Sequence, residues 1–141
     1  MNEKIALYTI IIFAILDAGL KAWMDYYVKE VSKKFSSFSS ERHLRWFIIE
    51  AVVFTGVSII LGLWIGILWT IPLLILIGGL VYWSVFDCLI GYLLTGSIWH
   101  IGTTGWDVWF ENVFQNGRTF LIVKLGWLAL GLGAYCSLFI F

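Results

Sequence analysis

Residues 44–95 read LRWFIIEAVVFTGVSIILGLWIGILWTIPLLILIGGLVYWSVFDCLIGYLLT, and after Arg45 the only side chains in this run that are charged at neutral pH are Glu50 and Asp87. A bilayer core is about 30 Å thick, and a helix of roughly 20 apolar residues crosses it. The run is long enough to cross twice, and its one break, Thr70-Ile71-Pro72, lies near the middle. Proline is accepted in the first turn of a helix and disfavours helix in the residue before it. The stretch therefore describes a transmembrane hairpin with Pro72 starting the second arm.

Composition extends this to the whole chain. With 141 residues, 61% hydrophobic and 13% charged, the chain has too few polar side chains to cover a soluble fold, so one integral membrane domain is expected. A net charge of zero gives no reason to expect a nucleic-acid partner. Met1-Asn2-Glu3-Lys4 carries little positive charge, and Asp17 and Lys21 interrupt the first apolar stretch, so a cleaved secretory signal is not expected. Cys88 and Cys136 form no C-x-x-C pair and no zinc-like spacing with His43 and His100. They read as small apolar filler in opposite leaflets, too far apart for a disulfide.

The expected fold is all-α: four transmembrane helices at about 5–24, 44–69, 72–94 and 119–141. The first helix can run on toward Lys34, until Ser36-Ser37-Phe38-Ser39-Ser40 breaks it and Ser40 caps the next. Before the last span, Trp106, Trp109, Phe110, Val113 and Phe114 recur at helical spacing, with Asp107, Glu111, Asn112 and Gln115 largely opposite. This predicts a short amphipathic helix over 105–116 lying on the membrane surface. Thr104 would cap it and Asn116-Gly117 would end it.

Lysine and arginine flank the first loop (Lys21, Lys29, Lys33, Lys34, Arg42, Arg45) and the third (Arg118, Lys124), while the second has none. Basic loops stay in the cytoplasm, which puts both termini on the far side of a cell membrane, and the expected one is the bacterial inner membrane. Trp64 and Trp69 then form the far aromatic belt, and Trp46, Tyr92 and Trp99 the cytoplasmic one.

Helices in lipid associate where small side chains let backbones approach. Three stripes at four-residue spacing qualify: Ala14, Ala18 and Ala22; Ser58, Gly62 and Gly66; Ala129, Gly133 and Ser137. The second and third lie in the far leaflet and are matched for pairing, within one chain, in a homo-oligomer or with another membrane protein. The first lies in the cytoplasmic half, where Gly91 offers a flat spot.

Charges inside a span are costly and face partners. Asp17, Glu50, Asp87 and Lys124 all fall roughly 7–12 Å inside the cytoplasmic boundary at 1.5 Å per residue, with Lys21 one turn from Asp17. Three roles fit such a layer. It can be a salt-bridge network, Asp17 with Lys21 and Glu50 or Asp87 with Lys124, that specifies how the helices assemble. It can help hold a divalent metal, for which His43, Glu50, Asp87, His100 and Asp107 are suitable ligands, and activate water for hydrolysis. It can line an ion or proton path; Thr103-Thr104-Gly105-Trp106-Asp107 resembles part of a potassium-channel filter but lacks its second glycine. No H-E-x-x-H, Gly-x-Ser-x-Gly or phosphate loop is present, so no catalytic residue is singled out.

Trp83-Ser84-Val85-Phe86-Asp87, together with Gly96 to Asp107 and with His43 opening a span, resembles small uncharacterised multi-span membrane proteins of bacteriophages and Bacteroidota. There an intramembrane Asp is followed by an aromatic and Gly-Thr-Thr-like turn and a second Asp. Gly91 stands where that pattern has asparagine. The resemblance covers about a third of the chain and implies a phage- or mobile-element-associated membrane protein, with Asp87, Asp107 and His43 as its marked positions. The expectation is a non-enzymatic membrane component that assembles with itself or a partner, with a metal-dependent hydrolase and a small channel or pore as alternatives.

Overall fold

The computed structural model describes residues 2–27, 40–99, 109, 112–114 and 116–140, and for 40–44 and 46 the backbone alone. Its four helices are α1 (Asn2–Tyr26), α2 (Ser40–Ile65), α3 (Thr70–Thr95) and α4 (Gly117–Phe139). Each is long and apolar enough to cross a membrane, and among the described residues there is no strand. The surface helix expected over 105–116 lies largely outside the described residues; Trp109 and residues 112–114 are helical.

Helix ends follow local chemistry and shift the expected boundaries. α2 stops at Ile65 because Gly66 takes φ +78°. The Ile67 amide then donates to the Gly62 carbonyl (3.2 Å) and the Gly66 amide to that of Leu63 (3.1 Å), which satisfies carbonyls the helix end would strand. The Thr70 and Ile71 amides bond back to Ile67 and Leu68, both at 3.1 Å. α3 thus begins two residues before Pro72, and the ring sits in the first turn, where its missing N–H is not needed. Gly96, at φ 73°, ends α3 with its amide on the Tyr92 carbonyl. Asn116 starts α4, its side chain accepting from the Thr119 amide at 2.8 Å.

α3 is the helix that packs on all the others, most extensively on α1. Ile10 meets Gly78 and Gly19 meets Leu89, so position numbers rise together and α1 and α3 run parallel. Phe54 lies against Tyr82 (ring centroids 5.5 Å) and against Phe13 (5.4 Å), which with Ile71 on Gly62 makes α2 antiparallel to both. α4 returns antiparallel to α3, with Phe120 beside Trp83 and Gly131 beside Ile77. The buried Tyr135 hydroxyl donates to the Glu3 carbonyl (2.9 Å) and ties the two ends of the chain together.

The three small-residue stripes meet different fates. Ala14, Ala18 and Ala22 are fully buried, as is Gly91 on α3. Ser58 and Gly62 face inward, and Gly62 seats the Ile71 side chain. Gly66 instead is exposed at the helix end, with nothing within 4 Å of where a Cβ would stand. Ala129, Gly133 and Ser137 are exposed because α4 turns the opposite face, Phe120, Lys124, Gly131 and Tyr135, to the bundle. The pairing of the second and third stripes does not occur within the chain: α2 and α4 both pack on α3 and not appreciably on each other.

Gly78 is where α1 and α2 both close on the backbone of α3. A Cβ there would lie 2.9 Å from both Ile10 Cγ1 and Phe54 Cδ1, whereas at Gly79 it would meet nothing within 4 Å. Overpacking of this kind costs about 1–3 kcal/mol. Gly78→Ala is therefore expected to lower the unfolding free energy in mixed detergent micelles by that amount, and Gly79→Ala to leave it unchanged or slightly raised. Equal effects from the two substitutions would contradict the packing described.

Candidate functional site

The Phe13–Phe54 contact sets the register of antiparallel α1 and α2. One turn toward the basic loops from that contact, Asp17 on α1 comes opposite Glu50 on α2. α3 supplies Tyr82, whose ring packs on Phe54 and stacks on Phe86 at 5.9 Å and 6°. Glu50 has Asp17, Tyr82 and Lys21 as electrostatic neighbours, and Tyr82 has Glu50, Asp17 and Asp25.

Lys21 donates to Asp25 at 2.6 Å, and the expected pair with Asp17 does not form. Asp25 lies one turn nearer the membrane boundary, and lysine in a span extends toward that boundary. Asp17 is left facing α2, with Oδ2 buried and without a hydrogen-bond partner among the described residues.

The second cluster lies between α3 and α4. Lys124, only 3% exposed, is ion-paired with Asp87. Its ammonium also stands over the rings of Phe120 (3.8 Å) and Trp83 (4.1 Å), which themselves meet edge to face. Aromatic faces are negative, so the rings and the carboxylate surround the cation with complementary charge where water is excluded. Nearer the helix ends, Arg118 lies over the Trp99 ring at 5.3 Å.

Asp87 follows Tyr82 by five residues, which turns it to another side of α3. The single layer expected from depth is accordingly two clusters at one level, with α3 between them. Among the described residues no three His, Cys, Asp or Glu side chains lie together as a metal site would require. Glu50 and Asp87, two of the candidate ligands, belong to different clusters; His100 and Asp107 lie outside the described residues, as does the His43 side chain. Cys88 and Cys136 are free thiols.

No family model, curated protein or solved structure matches the chain.

Depth alone could not find Asp25, Tyr82, Trp83 and Phe120. A signal was present for three of them, since Asp25 follows Lys21 by four residues, Trp83 precedes Asp87 by four and Phe120 precedes Lys124 by four. Tyr82 had none, because its relation to Glu50 depends on how α3 is rotated.

Removing one member of a buried pair strands the other and costs about 3–5 kcal/mol, whereas replacing both by apolar groups costs far less. Asp87→Ala is expected to destabilise the protein by an amount in that range in detergent unfolding, and Asp87→Ala combined with Lys124→Met to recover most of it. Additive losses in the double variant would show that the pair does not act as a unit.

Proposed function

We propose that the protein is a non-enzymatic component of a cell membrane that assembles with further copies of itself through α4. The observation that carries this is the orientation of α4. Gly126, Ala129, Gly133 and Ser137 form a continuous exposed line, and a Cβ at Gly126 or Gly133 would meet nothing within 4 Å. Lipid gives apolar surface no reason to leave it, so helices associate where small residues allow backbones to touch. α4 has such a surface left over after packing on α3.

The charged residues support the same reading, since Lys124 is held by Asp87 and two rings, and Lys21 by Asp25. Such groups organise helices. The basic residues at one end of the bundle favour an orientation with both termini outside the cytoplasm, and the likeness of Trp83–Asp107 to phage and Bacteroidota membrane proteins favours a phage- or mobile-element setting.

The test is the oligomeric state in lipid nanodiscs and by cross-linking in native membranes. Gly133→Leu should weaken self-association roughly tenfold, equivalent to about 1.4 kcal/mol. Ile60→Leu, on the exposed face of α2, should leave it intact. Gly62→Leu is unsuited to this purpose, because Gly62 seats Ile71 inside the hairpin. A wild-type protein that is monomeric in both settings would sink the proposal.

A further inference from the structure

Among the described residues, the partners of the Asp17–Glu50 pair do not balance. Asp17 Oδ2 is buried and receives no hydrogen bond among the described residues. The group opposite it, Glu50, is an acceptor as well when ionised. The neighbouring groups do not resolve this. On α1, Lys21 is drawn to Asp25; α3 contributes Tyr82; and Asp87 with Lys124 lies on another side of α3.

A buried acceptor without a donor costs about 1–3 kcal/mol, and more when charged. Two carboxylates facing each other away from water also repel, and such pairs relieve this by holding one proton between them. A single proton supplies the missing donor and removes one of the two negative charges. With Lys21 set against Asp25, the cluster would then carry one net charge instead of two.

From this geometry we infer that Asp17 and Glu50 share one proton and that this proton latches α1 to α2. The bond is an O–H of one carboxyl donating to the carboxylate of the other. Without that proton two carboxylates would stand opposed. The α1–α2 contact is the least extensive of the principal helix pairs, so this is where the bundle would part. The latch does not depend on association through α4, and the two proposals can fail separately.

The experiment uses full-length protein in lipid nanodiscs. Infrared spectra at neutral pH should show a protonated-carboxyl band that shifts in deuterium oxide and is lost in both Asp17→Asn and Glu50→Gln. In thermal unfolding Glu50→Gln should keep the wild-type midpoint, because its amide donates to Asp17 Oδ2 where the shared proton did, and Glu50→Ala should lower it. Asp17→Asn offers the amide from the other helix should the first variant fail to fold. A wild-type spectrum with no protonated-carboxyl band overturns the inference, as does a band that survives in both variants.

Discussion

The structure depends on one close approach, the seating of Ile10 and Phe54 against the bare backbone of Gly78. In lipid, dispersion contacts and backbone proximity do the work that water exclusion does elsewhere. A central helix touched from two sides at one residue has to lack a side chain there. Once α1 and α2 are fixed on α3 at that point, their register follows. Phe13 falls on Phe54, Asp17 comes opposite Glu50, and the fully buried alanines of α1 continue the interface toward the basic loops.

α3 then separates the polar groups by rotation. Tyr82 faces the carboxyls of α1 and α2, and Asp87, five residues on, reaches the lysine of α4. Residues at the same depth thereby acquire unlike surroundings. Lys124 is enclosed by a carboxylate and two aromatic faces, so its charge is answered within its own cluster. Asp17 and Glu50 oppose like to like and need something from outside the side chains to balance them. The first arrangement joins two helices through groups of opposite charge. The second makes the contact between two helices conditional on a proton.

Residues of one chemical type took several roles, and this marks how far sequence could be followed. Ala14, Gly62, Gly66 and Gly133 all belong to small-residue stripes. Ala14 is buried between helices, Gly62 receives a side chain inside a hairpin, Gly66 ends a helix with a positive φ, and Gly133 faces outward. Spacing identifies a stripe but not the direction in which its helix is turned. Likewise Lys21 has carboxylates at both four residues before and four residues after it. Its pairing with Asp25, one turn nearer the helix end, follows the tendency of lysine in a span to extend toward the boundary.

By itself the sequence determined the four apolar helices and the turn near Pro72, because hydropathy and chain length act locally and additively along the chain. The terminating role of Gly66 was also written locally, but it could be separated from packing only once its surroundings were known. Tertiary structure alone decided which face of each helix turns inward, that α3 and not a pairing of α2 with α4 forms the centre, and that one expected polar layer is two clusters. Those outcomes rest on helix rotation, which is set by the fit of distant residues such as Ile10, Phe54 and Gly78 against one another. No single segment carries that information.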